Sequence, residues 1–404
     1  PIFTSLLLLS LIIAALCGGL EDSYPPVHPI HKFYEPANGG QPVYPSGLEM
    51  KYVSKKYSDG YIIDASAAST AEARERERLK ADVYNSIRKA AEVHRRVRKY
   101  AREKLIRPGV RLIDMCEGLE NATRTYLEAL GGGDAGLRAG VGFPTGCSLN
   151  NVAAHYTPNP GDKTVLSYDD VMKLDIGVHV NGLIVDSAFT WAPNPEYAPL
   201  LEAVREATYA GIREAGIDAR MKDVGAAVQE VMESYEVSIR GRTYQVRVVE
   251  NLCGHNIRPY LIHGGKTVPT ARSRSNVRME EGEVFAIETF GTTGHGVALE
   301  HGESSHFSLA PAYASNRGRY IREEPARRLM ERIRTNFKTL PWCLRYLERT
   351  GERGYKPALQ QLVRQGVVTD YPPLCDVAGS YVAQYEHTIL LKPSGKEIVT
   401  KGDD

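Results

Sequence analysis

The sequence predicts an α+β fold, and three observations carry that reading. Val171–Trp191 alternates apolar and polar residues around Asn181-Gly182, a β-hairpin pattern with a type I′ turn signal. After Thr70 the apolar residues recur at spacings of three and four, the period of a helix. A unit of two helices followed by strands then occurs twice along the chain, with no sequence identity between the copies.

In chain order, Ile2–Leu16 is almost wholly apolar, and no charge precedes Glu21. It is short for a transmembrane helix and lacks the basic flank of a signal peptide. Residues 1–17 are therefore either a secretory or anchoring segment or sequence outside the mature protein, and the rest of the chain favours the second. Residues 18–69 are rich in Gly, Pro, Tyr and His without a sustained period, and read as an extended arm. Leu79, Val83, Ile87, Ala90, His94, Val97 and Ala101 mark one face of the first helix. Arg74, Arg76, Arg78, Arg95, Arg96 and Arg98 fall mainly outside that stripe and read as a solvated face; the sharper alternative is contact with a polyanion. His94 reads as a core histidine. A second helix spans roughly 112–130 and stops at Gly131-Gly132-Gly133. Asn121-Ala122-Thr123 is a glycosylation sequon in form only, since it falls in mid-helix.

The hairpin comes next. With the turn at Asn181-Gly182, Val178 faces Val185, Ile176 faces Ser187 and Leu174 faces Phe189. Asp175 and Asp186 then share the opposite face as diagonal neighbours, roughly 7 Å apart. Two carboxylates so placed repel each other, and a cation between them resolves the repulsion. Helices follow near 196–213 and 221–235, then strands near 243–250, 257–263 and 283–290. Residues 310–368 are helical and rich in Arg, Glu and Leu. They read as a subdomain inserted between the strand bearing Glu288 and a last strand at 381–391. The catalytic domain is then 70–309 with 369–404.

Composition narrows the function classes. The chain is 404 residues long and 42% hydrophobic, ordinary for a globular protein. Lys+Arg of 50 against Asp+Glu of 49 leaves no overall basic field for nucleic acid. The six cysteines form no C-x-x-C pair, which argues against a zinc knuckle or a disulfide framework and for a cytoplasmic protein.

Three further segments place chemistry on strands: His255 in Cys253-Gly254-His255-Asn256, Glu288 at the end of an apolar run, and Glu386 in Gln384-Tyr385-Glu386-His387-Thr388. Each alone reads as structural more readily than functional. With Asp175 and Asp186 they make four carboxylates and one imidazole, a set suited to a pair of divalent ions. Spacing alone does not assemble them.

At these residues the chain resembles the eukaryotic type 2 methionine aminopeptidases. The resemblance runs from about Pro45 to Asp404. It is carried by Phe143-Pro144-Thr145-Gly146-Cys147-Ser148-Leu149-Asn150-Asn151, Ala154-His155-Tyr156-Thr157-Pro158-Asn159, the Asp175/Asp186 hairpin, Ile262-His263-Gly264-Gly265-Lys266-Thr267, Glu280 through Gly291, Tyr371-Pro372-Pro373-Leu374-Cys375-Asp376 and Glu386-His387-Thr388. It implies the pita-bread fold, an α+β core with pseudo-twofold symmetry, and a winged-helix-like character for the helical insertion. It implies removal of the initiator methionine from nascent chains when the second residue is small. Asp175, Asp186, His255, Glu288 and Glu386 are then the ligands of two divalent ions (Mn, Co, Fe or Zn), which acidify the attacking water. Glu288 is its general base. His155 and His263 flank the scissile peptide and stabilise the oxyanion. Phe143, Ile262, His306 and Tyr371 line the methionine pocket, a slot suited to a flexible thioether. His155 is also the position that fumagillin-type epoxides alkylate in the family.

The implied partners are nascent polypeptide N-termini, with the ribosome or an initiation factor as a further candidate. A monomer without specific nucleic acid is expected. The chain departs from the family at Cys253, where the animal enzymes have Asn, and at Ile176, where they have an aromatic. It also departs in the Gly-rich stretch Gly131–Asp134 and in the apolar segment that replaces a Lys- and Glu-rich extension. The rival readings are an Xaa-Pro peptidase of the same fold and a non-catalytic ribosome- or RNA-binding relative. The FPTGCSLNN and YPPLCD motifs argue against the first, and the complete ligand set argues against the second.

Overall fold

A computed structural model describes residues 20, 22–36, 39–129, 133–314 and 321–402. The apolar segment 1–17 and most of the Gly131-Gly132-Gly133 stop lie outside the described residues. Among the described residues no helix is long and apolar enough to cross a membrane.

Two antiparallel sheets form the centre. The first contains Ala139–Leu149, Met172–Val180 and Leu183–Trp191. The second runs Leu48–Met50, Gly395–Ile398, Val382–Lys392, Val284–Thr292, Cys253–Ile257 and Thr267–Pro269, with Arg247–Val248 also paired to Val284–Thr292. Helices Ala81–Tyr100 and Leu112–Leu127 cover the first sheet, burying Val97, Leu119 and Tyr126 against Leu174 and Val178. Helices Ala198–Glu214 and Met221–Met232 cover the second. The repeated unit read from the sequence is thus two helix pairs, each over its own sheet.

The two sheets meet at a seam closed by hydroxyl groups. Thr388 Oγ1 accepts from Asp186 N at 2.8 Å and donates to Asp186 O at 2.7 Å. Thr190 Oγ1 does the same for Gln384 N and O, each at 2.8 Å. Ser187 Oγ donates to Glu386 O at 2.6 Å. A hydroxyl both accepts and donates, so it stands in for the missing ladder and pairs the backbone N–H and C=O groups it reaches. This seam sets Asp186 beside Glu386.

Several details differ from the sequence reading. The first helix is two helices, Ala71–Leu79 and Ala81–Tyr100, broken at Lys80. The break turns Leu79 and Val83 outward, 72% and 47% exposed, while Ile87, Ala90, His94, Val97 and Ala101 are buried. Thr70 caps the first of these helices by accepting from Ala73 N at 3.1 Å. Arg95, Arg96 and Arg98 are not a solvated face. Arg95 and Arg96 grip Glu92, and buried Arg98 donates to Thr400 O at 2.9 Å. Glu92 is on the same helix, but Arg95 also donates to Val399 O and Arg96 to Asp22, so the three clamp this helix to its neighbours. His94 is a core residue, its Nε2 2.9 Å from Ile176 O. The second helix ends at Leu127, where Glu128 turns left-handed at φ 57°. Gly133 does not stop a helix; it begins another, Gly133–Arg138.

The arm is not featureless. It contributes Leu48–Met50 to the edge of the large sheet, paired with Gly395–Ile398. The strand expected at 243–250 is two, Arg242–Gln245 and Arg247–Val248. Val382–Lys392 is followed by one more strand, Gly395–Ile398.

Residues Glu324–Phe337, Leu344–Arg349 and Lys356–Arg364 are helices around a separate apolar core that includes Leu329, Ile333, Trp342 and Leu347. Strands His306–Leu309 and Val368–Tyr371 pair with each other, so both ends of this segment leave the protein at one place.

Candidate metal centre and cleft

Strand register builds the centre. Asn181 and Gly182 hold φ of 52° and 78°, as a type I′ turn requires. Val178 pairs with Val185, Ile176 with Ser187 and Leu174 with Phe189. Asp175 sits opposite Ala188 and Asp186 opposite Gly177, so the two carboxylates are diagonal neighbours. In the second sheet Glu288 lies directly opposite Glu386, and His255 opposite Ala286. Side chains alternate along a strand, so His255, Glu288 and Glu386 share one face. The seam then brings Asp186 to them.

Ligating atoms of Asp186, His255 and Glu386 lie within 4.8 Å of one another. His255 Nε2 is 3.7 Å from Asp186 Oδ2 and 3.5 Å from Glu288 Oε1. Gln384 Nε2 donates to Asp175 Oδ2 and to Glu288 Oε2, each at 3.3 Å. Among the described residues, Asp175 Oδ1, Asp186 Oδ1 and both oxygens of Glu386 are buried without a hydrogen-bond partner. Burial pushes the Asp175 carboxyl up to about 6. Burial, then the Asp175 and Glu288 charges, push Asp186 up strongly. Glu288 and Glu386 rise for the same reasons. Burial holds His255 neutral.

A buried carboxylate without a partner is costly. The four carboxylates with a neutral imidazole match the donor set of Mn, Fe, Co or Zn. The residues therefore fit divalent metal. Gly146 makes room for the arrangement, since a Cβ there would come within 3.1 Å of the Asp175 Cβ.

A cleft opens over this centre. Phe143, His155, Ile262, His263, His306 and Tyr371 line it, together with Asp175, Asp186, His255 and Glu288. Glu386 is 1% exposed and lies beneath, beside Asp186. Phe143 lies flat over Gly177, where a Cβ would meet its ring at 2.3 Å. His155 takes a left-handed φ of 64°, unusual for a residue with a Cβ. Its ring is 5.6 Å from that of Tyr371, edge-on, and 6.1 Å from that of His306. Burial brings its imidazole down to about 3 and that of His306 down to about 4, so both are neutral.

His263 stands with its ring 4.6 Å from His255. It does not lie on a strand, as the sequence suggested for 257–263. The strand is Cys253–Ile257, and a turn follows in which Tyr260 holds φ 60°. Asn256 shapes this loop: its Oδ1 accepts from Lys266 N at 2.8 Å and its carbonyl from Gly264 N at 2.7 Å.

Sequence reasoning missed Lys173, Gln384 and Pro341, all on the cleft wall. Lys173 and Gln384 each precede a ligand candidate by two positions on the same strand. Period-two alternation could have found them. Lys173 Nζ donates to Asn150 O at 2.8 Å and Val171 O at 3.1 Å. Pro341 lies between helices Glu324–Phe337 and Leu344–Arg349 and carries no such signal. Nor are the cysteines all isolated: Cys116 and Cys147 are buried with their Sγ atoms 3.5 Å apart.

Comparison with known proteins gives consistent results. Residues 85–324 match the model of metallopeptidase family M24. The chain is 52% identical over 364 residues to methionine aminopeptidase 2 of Schizosaccharomyces pombe, covering 89% of this chain and 83% of that one. It is 53% identical over 362 residues to methionine aminopeptidase 2A of Arabidopsis thaliana, covering 90% and 79%. Among solved structures, a thermophilic Arx1 matches with a TM-score of 0.65 at 18% identity, covering 80% of this chain and 91% of that one. Methionine aminopeptidase from Rickettsia prowazekii matches at 0.51 and 15% identity, covering 81% and 98%. These structures share the pita-bread fold with the chain. The chain belongs to metallopeptidase family M24, among the methionine aminopeptidases of type 2.

Proposed function

We propose that this chain is a metal-dependent methionyl aminopeptidase. It removes the initiator methionine from nascent proteins and peptides in the cytosol when the second residue is small. One observation carries the reading: Asp175, Asp186, Glu288 and His255 line an apolar cleft flanked by two further histidines, with Glu386 buried beneath them beside Asp186.

Asp175, Asp186, His255, Glu288 and Glu386 are the residues to hold two divalent ions, of Mn, Co, Fe or Zn. Bound there, the ions supply Lewis acidity and a water acidic enough to deprotonate near neutral pH. Glu288, a carboxylate on the cleft wall, would be the group to accept a proton from that water. Phe143, Ile262, His306 and Tyr371 hold the methionine side chain. His155, neutral at physiological pH, and His263 donate to the scissile amide and to the developing oxyanion. The tight His155-Tyr156-Thr157-Pro158 turn lies where the second residue must fit. A bulky residue there displaces the carbonyl, and ~1 Å of displacement can cost about a hundredfold in rate. In this reading residues 310–368 are a subdomain that closes the cleft with Pro341, the chain acts as a monomer, and fumagillin-type epoxides modify His155.

The test is kcat/KM on a Met-Xaa-Ser series. Ala, Thr and Val at the second position should be processed, and Leu, Lys and Glu should fail. Leu in place of the first Met should be partly tolerated, since a methylene-scale mismatch costs about 1–3 kcal/mol. Equal rates for Met-Lys-Ser and Met-Ala-Ser contradict the steric account. Cleavage of Xaa-Pro peptides alone moves the chain to the proline peptidases.

A further inference from the structure

The turn that carries His155 is held from two sides. On one side Ser305 Oγ donates to His155 O at 3.1 Å and accepts from Thr157 N at 3.1 Å. On the other stands Arg345, from the helical insertion. Its Nη2 donates to Thr157 Oγ1 and its Nε to Pro158 O, each at 2.9 Å. Its two Nη atoms also grip Glu120, at 2.6 and 2.7 Å. Glu120 Oε1 in turn accepts from Thr145 N at 3.4 Å, in the segment that bears Phe143. Arg345, Glu120 and Thr157 are all buried.

A guanidinium presents its donors in a rigid planar fork, so it fixes the relative placement of whatever it binds. Here it binds a core helix and the turn after His155, and it reaches them from the insertion. The turn needs such restraint, because His155 sits at φ 64°, where a residue with a Cβ is strained and relaxes unless its surroundings hold it.

We propose that Arg345 is a positioning residue: through Thr157 and Pro158 it holds the His155 turn in the conformation that aims the imidazole into the cleft. The helical insertion thereby acts on the reaction without touching substrate through this residue. The inference rests on the reading of His155 as a substrate-facing group.

Thr157 gives the cleanest probe. Thr157→Val keeps the volume and removes the hydroxyl, while Arg345 keeps Glu120 and the fold keeps its ion pair. Thr157→Ser keeps the hydroxyl and loses a methyl group. Positioning predicts that Thr157→Val lowers kcat by about tenfold, with metal content and KM little changed, and that Thr157→Ser stays near wild type. Packing predicts the reverse order. In a His155→Ala background, Thr157→Val should cost nothing further, because its effect passes through His155. A silent Thr157→Val, the reverse order of Val and Ser, or full additivity with His155→Ala overturns the proposal. If His155→Ala alone is silent, the role of His155 itself fails, and any loss in Thr157→Val then arises elsewhere, which overturns the proposal on separate grounds.

Discussion

Two groups of buried charge lie in this protein, and they are completed differently. Glu120 and Arg345 cancel each other: both carboxylate oxygens accept from the guanidinium, and the spare donors go to Thr157 and Pro158. Although burial works against its charge, Arg345 beside it holds the Glu120 carboxyl below the usual range. The group formed by Asp175, Asp186, Glu288 and Glu386 has no such partner. Gln384 supplies a neutral amide, His255 is neutral, and several carboxylate oxygens have no hydrogen-bond partner among the described residues. The first group is finished by the chain itself. Among the described residues the second has no cation of its own, and a divalent ion of the kind metallopeptidase family M24 binds would complete it.

The largest effect that could break this contrast is on turnover. Asp186→Asn should lower kcat by at least about a thousandfold, the equivalent of the several kcal/mol that a metal centre contributes. The chelator-treated variant should be no less stable than the wild type, because one repelling carboxylate is gone. Near-normal activity at saturating metal would remove Asp186 from the centre.

The Glu120 side predicts the opposite. Glu120→Ala strands the Arg345 charge in the interior and should cost about 3–5 kcal/mol of stability, read from urea unfolding. If Glu120→Ala and Asp186→Asn shift the chelated protein alike, the two groups do not differ as described.

Proton linkage sharpens the comparison. The Asp175 carboxyl rises from a usual 3.8 to about 6, so the fold favours its protonated form. Its contribution is complete below about pH 4 and is lost as pH rises through about 6. Asp186, Glu288 and Glu386 act in the same direction. Glu120, shifted down, stabilises above its unfolded value and is lost only as pH falls. Divalent metal should therefore raise the unfolding midpoint more at pH 7.5 than at pH 5, as about this window implies. Equal increments at the two pH values would contradict the assignment of these shifts.

The smallest expected effect belongs to Gln384. Its amide orients Asp175 and Glu288 together, so Gln384→Ala should weaken metal binding by about 10–100-fold while leaving the ligands in place. Unchanged affinity in a metal titration would make its two contacts incidental.

The hairpin was legible because its signals are local. Asn181-Gly182 fixes the turn, period two fixes the faces, and the diagonal Asp175/Asp186 pair follows from both. Glu288 opposite Glu386 was legible only as two acidic residues in apolar strands, since their register depends on pairing across about a hundred residues of chain. The break at Lys80 left Leu79 and Val83 on the stripe in sequence and on the surface in space. Arg95, Arg96 and Arg98 read as solvated because composition does not show Val399, Asp22, Ser187 or Thr400 folding back onto them. The seam through Thr388, Ser187 and Thr190 was invisible for the same reason. Hydroxyls bridging two sheets have no sequence period, yet they bring Asp186 to Glu386.

The central claim is that the carboxylate group is completed by cations. Titration calorimetry of chelator-stripped protein with Mn²⁺ at pH 6.5, repeated in two buffers of different ionisation enthalpy, tests it most directly. Two ions should bind per chain with net release of protons, because carboxyls held protonated by burial must ionise to become ligands. Both binding and proton release should disappear in a chain carrying Asp186→Asn and Glu386→Gln. Absence of binding in the wild type, or binding that persists unchanged in the double variant, would contradict the account.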